Sequence, residues 1–409
     1  MKLKQNKEII KVAVIDNGLN KSLYYKLTGK KIKTYRIRQG ECLSDEDGWE
    51  HYDANHGTVC AALLTEFTDE ADIISISVNE SGGLPLDNLG VALFWCIDHH
   101  IDLICISLGT SSWIELRELF PIFKLLEESK IIVVGAGSND GRITFPASLP
   151  SVLGVRFKKG SSGLSETEIV MIDDPIDGID IETDMPPSKV LKQLQKRFQY
   201  EYPMANSMVA PYIAARIIEL MNQGYLCRTV DELKKNIKKY ICTAIKEEKE
   251  ELAYSWAEEF SYISKEECIH WLENLTQPVI VIVYQEEKGN KGAIGQLVLG
   301  LQQLFYKNGF EATIFSTVLA SNMKKSVFWL DDSRLEESFL NYTKIVTSDL
   351  FLLHLPISAL ISHNRRSFMD LIIEYKQENK LSEIVKREKD NWMILPADSK
   401  SVEEQIGLI

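Results

Sequence analysis

Three short apolar runs decide the class of fold open to this chain. IKVAVI (10–15), IDLICISL (101–108) and IIVVGAG (131–137) are rich in Ile, Val and Leu at successive positions. A strand with one wet face alternates apolar and polar residues, whereas a nearly continuous apolar run belongs to a strand covered on both faces. Helix-like stretches lie among them, LDNLGVALFWCIDHH (86–100) and ELRELFPIFKLLEESK (115–130). Strand alternating with helix predicts an α/β fold, a parallel sheet flanked by helices on both faces. Ligands in such sheets bind past the carboxyl ends of the strands. Asp16, Ser107-Leu108-Gly109 and Gly137-Ser138-Asn139 stand at those ends.

Residues 160–200 interrupt the pattern. KKGSSGLSETE is loop-like, and the acidic DDPIDGIDIETDMPP is expected to be a solvated surface loop rather than a calcium site or a reader of basic substrates. A helix is predicted over 207–224 with Gly224 as its stop. Thr229 and Glu232 have the spacing of a capping box opening a helix over 230–240, and Ser264 and Glu267 repeat it. KEEKEELA (246–253) is a charged connector. The expected division is a first domain over 1–245, a helical connector over 246–277 and a smaller α/β domain over 278–409. In the last part PVIVIVY reads as a strand, GAIGQLVLGLQQLFYKN as a helix closed by Gly309, and FEATIFST as a strand.

The 409 residues suit two domains. A net charge of −13 argues against nucleic acid as partner, since phosphate contacts need Lys and Arg. No run of eighteen apolar residues occurs, so no membrane partner is expected. The N-terminal basic residues precede no long apolar stretch, so no secretory signal is read. Cysteines 42, 60, 96, 105, 227, 242 and 268 are odd in number and widely spaced. They read as reduced thiols in a cytoplasmic protein, with Cys60 and Cys105 as core.

Four segments carry chemistry in order: VAVIDNG (12–18), NHGTVCAALL (55–64), VVGAGSNDG (133–141) and ANSMVAP (205–211). An aspartate ends a buried strand, a histidine opens a helix of small residues, and a serine opens another. A nucleophilic serine needs a base, and the base needs a carboxylate to hold its tautomer. Asp, His, Ser is one of the chain orders in which such triads occur.

These motifs resemble those of the subtilisin family of serine proteases, over roughly residues 8–245. Asp16-Asn17-Gly18 stands at the family's Asp-Ser/Thr-Gly, His56-Gly57-Thr58 at its His-Gly-Thr, and Ala205 to Pro211 at its Gly-Thr-Ser-Met-Ala-x-Pro. Ser107-Leu108-Gly109 matches the family's substrate strand, and Phe145-Pro146-Ala147 its Tyr-Pro-Ala. The resemblance implies a subtilisin-like sheet with Asp16, His56 and Ser207 as triad and Asn139 as oxyanion donor. It implies peptide binding along Ser107, Leu108, Gly109, Ala136 and Gly137, with no metal and no cofactor. Trp113 is a candidate wall for an apolar substrate side chain, with ordinary packing as the alternative.

The departures are Asn17 for a hydroxyl residue, and Ala205-Asn206 for Gly-Thr. Ala205 adds a methyl expected to narrow the primary pocket, and Asn206 tolerates unusual backbone angles. His51 with His56 is weak as a metal pair. His99-His100, at a helix end, reads as structural. The first strand starts about ten residues in, so no folding propeptide is expected. An unrestrained protease would harm a cytosol, which implies a narrow substrate or control by the second domain.

In that second domain, YQEEKGNKGAIGQL follows a strand and opens a helix, the setting of a phosphate-binding loop. Gln285 and Asn290 take its glycine positions, Gly292 stands where Ser or Thr is needed, and Glu286 and Glu287 repel phosphate. A degenerate P-loop-like or flavodoxin-like scaffold is expected. This half resembles accessory domains of bacterial peptide-maturation systems, which implies peptide-maturation proteins as partners and leader-peptide removal as the task. The alternatives are a catalytically impaired peptide-binding module and an acyl hydrolase, since a triad does not choose its acyl donor.

Overall fold

The computed structural model describes residues 9–45, 55–78, 86–158, 167–173, 175, 177–198, 204–225, 227–247, 270–284, 291–318, 326–330, 335–361, 368–376 and 392–396. Two compact units divide the chain: Met1–Ser111 with Glu115–Lys249, and Ser112–Ile114 with Glu250–Ile409.

The first unit is built on a ten-stranded sheet. Its strands are β1 (Ile10–Asp16), β2 (Lys33–Arg38), β3 (Glu41–Ser44), β4 (Ala71–Ser77), β5 (Leu103–Ile106), β6 (Ile132–Ala136), β7 (Leu153–Phe157), β8 (Ile169–Asp173), β9 (Ile181–Thr183) and β10 (Ala244–Glu247). They lie in the order β10-β8-β9-β7-β6-β5-β1-β4-β2-β3. The pairs β2–β3 and β8–β9 are antiparallel and the others parallel. The expected α/β class and parallel sheet are therefore present. The three diagnostic runs became β1, β5 and β6 at its centre.

Continuous apolarity has its reason in the layers. Val12, Val14, Leu103, Cys105, Ile132 and Val134 face one core, with α1 (Lys21–Thr28), α2 (His56–Phe67), α5 (Lys189–Phe198), α6 (Asn206–Asn222) and α7 (Val230–Tyr240). Their strand neighbours Ala13, Ile15, Ile104, Ile106 and Val133 are just as buried. Neither face meets water. Helices α3 (Leu86–Asp98) and α4 (Trp113–Glu128) complete this part of the chain. α2 and α6 pack against each other, and both contribute small buried residues to the same core, Ala61 and Ala62 from α2 and Ala210, Ala214 and Ala215 from α6.

Helix ends follow local chemistry. Asn55 caps α2 by accepting from the Thr58 N–H, and Thr229 caps α7 by accepting from the Glu232 N–H. The Glu232 carboxylate reaches back to the Arg228 N–H at 3.1 Å, one residue earlier than the standard box. Gly224 follows α6 at φ +88, a conformation that favours glycine. The Ser264–Glu267 box, and most of the expected connector, lie outside the described residues; β10 runs on to Glu247.

Residues 160–200 correct the sequence reading. They hold β8, β9 and α5, and Glu66 of α2 caps α5 by accepting from the Val190 N–H at 3.2 Å. The acidic stretch is not a solvated loop, for Asp177, Asp180 and Asp184 are all buried. Buried Arg156 on β7 pairs with Asp177 at 2.7 Å and Glu182 at 3.0 Å. Lys234 on α7 reaches Asp180 at 2.6 Å, and Asp180 also accepts from the Gly154 N–H at 3.2 Å. The cations that neutralise the stretch come from elements remote in sequence, and so no local pattern announces the burial.

Among its described residues the second unit has six parallel strands: β11 (Val279–Tyr284), β12 (Ala312–Ser316), β13 (Val327–Trp329), β14 (Leu350–Pro356), β15 (Leu371–Lys376) and β16 (Trp392–Pro396). Helices α8 (Lys291–Lys307), α9 (Leu335–Ile345) and α10 (Ile357–Ile361) connect them. The order is β13-β12-β14-β11-β15-β16. The first strand thus lies between the fourth and fifth, unlike the flavodoxin order 2-1-3-4-5, and the flavodoxin-like half of the expectation is corrected. The loop from Gln285 to Asn290 lies outside the described residues.

Burial pushes the Asp180 carboxyl up to about 6, against the pull of Lys234. Lys234→Met should therefore destabilise the first unit by about 2–3 kcal/mol at pH 8 in urea titrations, since removing one partner strands a buried charge. The sign with pH is fixed. The variant's carboxyl takes up its proton at higher pH than the wild type's, so the loss grows as pH rises above about 6 and shrinks toward pH 5, where both folded forms hold Asp180 neutral. A loss independent of pH would contradict this account.

Candidate active site

Parallel register brings three strand ends together. Ile15 of β1 stands opposite Ile106 of β5, and Ile106 opposite Gly135 of β6. Asp16, Ser107 and the 136–139 turn consequently emerge side by side, the place where an open α/β sheet accepts ligands.

Asp16 is 2% exposed and its carboxylate is well occupied. It accepts from the Asn17 N–H at 2.7 Å and stands 2.8 and 3.0 Å from His56 Nδ1. His56 is held over it by a close approach that only glycine permits. A Cβ on Gly57 would lie 2.3 Å from the Gly18 carbonyl and 3.0 Å from Asp16 Cβ. Asn17 secures the same junction, its side-chain carbonyl accepting from the Gly57 N–H at 3.0 Å. The Asn20 N–H donates to the Thr58 hydroxyl at 2.8 Å. His-Gly-Thr at the mouth of a buried helix is thus one joint: imidazole, close approach and tether.

His56 Nε2 lies 2.8 Å from Ser207 Oγ, across 151 residues of chain. In the neutral imidazole, with Asp16 accepting the proton on Nδ1, Nε2 is the acceptor for the serine hydroxyl. Burial by itself would push the imidazole down; the hydrogen bond to Asp16, the contact with Cys60 and the charge of Asp16 together outweigh it and hold His56 above an ordinary histidine. The set is a hydroxyl on a base, with the base on a carboxylate, the requirement for an activated serine.

Ser207 is the second residue of α6. Ala205 precedes the helix in extended backbone (φ −141, ψ 158), so no glycine is needed there, and its methyl packs against the core. The Ser207 N–H is a first-turn donor. Asn139 is exposed, and its side-chain oxygen accepts from the Asn206 N–H at 2.8 Å, which leaves its amide Nδ2 uncommitted among the described residues. Asn206 is helical, without the positive φ that the sequence reading provided for.

On the neighbouring edge, the β5–β6 ladder ends at Ile106–Gly135, and an antiparallel bridge joins Thr110 to Phe145 (2.9 and 2.7 Å). Leu108 and Gly109 lie between these pairings. A Cβ on Gly109 would meet the Phe145 carbonyl at 2.5 Å, which explains the glycine. Trp113 begins α4, and its side chain lies outside the described residues, as does His51. His99 stacks on Trp95 at 3.8 Å and bonds the Trp95 carbonyl through Nδ1, a structural role.

Cys60 is buried, as expected of a core residue, but it also touches the site. Its Sγ is 3.7 Å from His56 Nδ1 and 3.6 Å from the Ser207 carbonyl. The i, i+4 spacing from His56 was the available signal. Burial pushes the thiol up to about 11, so it is neutral at ordinary pH. Asp16, His56 and Cys60 form the metal-ligand-like group among the described residues, yet the first two already bond each other.

Residues 7–173 match the family model described as Subtilase family; the match includes Asp16, His56 and Asn139 and ends before Ser207. The minor extracellular protease Epr of Bacillus subtilis (strain 168) is 22% identical over 245 residues, covering 57% of this chain and 35% of Epr. The chain thus spans about a third of the length of that curated relative. Among solved structures, a lanthipeptide protease is 14% identical over 56% of this chain and 79% of its own, with a TM-score of 0.41. The epidermin leader peptide processing serine protease of Staphylococcus aureus is 16% identical over 56% and 68%, with a TM-score of 0.38. The nisin leader peptidase of Lactococcus lactis is 12% identical over 58% and 83%, with a TM-score of 0.37.

An Asp16→Asn variant isolates the carboxylate's effect. Its amide no longer favours the imidazolium, so His56 should titrate ~1–3 pH units lower in an NMR titration of the imidazole signals. An unmoved midpoint would mean that Asp16 does not set the base.

Proposed function

We propose that the first unit is a serine endopeptidase in which Ser207, His56 and Asp16 form the triad. The observation that carries this reading is the Ser207 Oγ–His56 Nε2 contact of 2.8 Å, with Asp16 on the opposite nitrogen. Ser207 Oγ attacks the scissile carbonyl while His56 takes its proton. The C–N bond then breaks and His56 passes that proton to the leaving amine. Water attacks the acyl-enzyme with His56 again as base, and Ser207 recovers its proton as the acid departs. Asp16 orients and stabilises the imidazolium throughout.

Charge on the tetrahedral oxygen is met by Asn139 Nδ2 and the Ser207 N–H, donors worth ~10²–10³ in turnover each. The substrate backbone adds as a strand along Ser107, Leu108 and Gly109, with Ala136 and Gly137 on its far side. This geometry selects extended peptide.

The finer reading is a cytoplasmic enzyme of narrow specificity that removes a leader from a ribosomally made peptide, with 278–409 as an accessory domain for peptide-maturation partners. The six described cysteines are all free, which supports a reducing compartment. Among the described residues no helix is long and apolar enough to cross a membrane.

Intact mass spectrometry after incubation with a fluorophosphonate tests the triad: one adduct on wild type and none on Ser207→Ala. An unlabelled, well-folded wild type would instead favour the peptide-binding module. The substrate class has a separate test. A candidate precursor should be cut once, at the leader boundary, and far faster than casein; equal cleavage of both would refute narrow specificity.

A further inference from the structure

The side chain of Asn206 does more than fill a place before the nucleophile. Its oxygen accepts from the Phe157 N–H at the end of β7 at 2.8 Å. Its amide donates to the Gly137 carbonyl at 3.1 Å and the Ser138 carbonyl at 2.7 Å. Its backbone N–H holds Asn139 Oδ1 at 2.8 Å. One buried residue therefore joins β7, the 137–139 turn and the first turn of α6. An asparagine amide carries one acceptor and two donors in a plane, which matches these three partners. A threonine has one hydroxyl on a shorter stem and cannot satisfy all of them. Each partner is a backbone group; the Ser138 carbonyl also accepts from the Gly141 N–H at 3.2 Å, so the Asn206 amide adds a second bond to a carbonyl already within the turn.

We infer that Asn206 is a positioning residue for the oxyanion site: it locks the turn that carries Asn139, so that Asn139 Nδ2 points where negative charge develops. The inference rests on the serine-hydrolase reading above. The cause is geometric. Asn139 is exposed, and an unsupported exposed side chain spreads over several rotamers, whereas oxyanion stabilisation needs a donor aimed in advance. The Asn206 side chain fixes the backbone of the turn through Gly137 and Ser138, and so keeps Asn139 Oδ1 within reach of the backbone N–H of residue 206, which any residue there would carry. It touches neither the triad hydroxyl nor the imidazole in the described contacts. Its loss should leave Ser207 activated but poorly served by the hole.

Fluorophosphonate labelling of Ser207 reads this directly and needs no identified substrate. The Oγ–P bond forms as P–F breaks, fluoride leaves, His56 takes the serine proton, and the phosphoryl oxygen occupies the oxyanion site. Second-order labelling rates would be measured by intact mass on wild type, Asn206→Ala, Asn139→Ala and the double variant. Asn206→Ala should slow labelling ~10²-fold alone, and by no more than ~2–3-fold when Asn139 is already alanine. Asn206→Ser, which restores one hydrogen bond, should fall between wild type and alanine and show the same dependence on Asn139. It also serves if the alanine variant fails to fold in a melting check. Equal slowing in both backgrounds, with wild type labelled, would overturn the positioning role while leaving the triad standing. A folded wild type that never labels would overturn both.

Discussion

The contact on which the site depends is a carboxylate held under an imidazole at the end of the central strand. Asp16 is almost fully buried, and an unpaired carboxylate there would carry a heavy desolvation cost. The Asn17 N–H and His56 offset it together. To bring His56 into place, α2 must begin against the backbone of β1, and Gly57 makes that possible. The rest of α2 is buried small and apolar residues because the same approach continues against α6, whose start supplies Ser207. One close contact thus sets strand, helix and Ser207 in series.

The opposite side of the site is secured by hydrogen bonds rather than by packing. The turn after β6 has to present Asn139 to solvent, and an exposed group gains little from burial. Its geometry is set instead by Asn206, which sits in the first turn of α6 and bonds the turn, its neighbour strand and Asn139. His56 and Asn139 are therefore both registered to α6, one through Ser207 Oγ and the other through the residue before it. A helix start has N–H groups to spare, and the Asn206 N–H is the one that holds Asn139.

Buried charge recurs behind the site. Arg156, Asp177, Glu182, Asp180 and Lys234 form pairs among β7, β9, α7 and the turn before β9. Such pairs contribute little net stability against apolar replacements, but removing one member is costly. They tie the turn to Gly154, and a Cβ on Gly137 would meet Ile179 of that turn at 3.0 Å. The acidic stretch that looks like surface is thus part of the support beneath the 137–139 turn.

Much of this was legible in the chain. Continuous apolar runs reported strands covered twice, because only burial on both faces removes the need for polar alternation. Asp16, His56, Asn139 and Ser207 stood out since acid, base, amide and hydroxyl are chemical identities that sequence states outright. Gly224 and the Thr229–Glu232 cap were readable because their physics acts within one helical turn. What tertiary structure decided is whatever depends on partners far along the chain. It brought Ser207 to His56 across 151 residues, turned Cys60 from mere core into a neighbour of the imidazole, and ordered the second unit's strands in a way that excludes the flavodoxin pattern. It also buried Asp177 and Asp180, because Arg156 and Lys234 arrive from other elements to neutralise them. Local pattern reports the water a segment avoids; the charge or hydrogen bond that lets a polar segment avoid it too comes from elsewhere, and only the fold brings the two together.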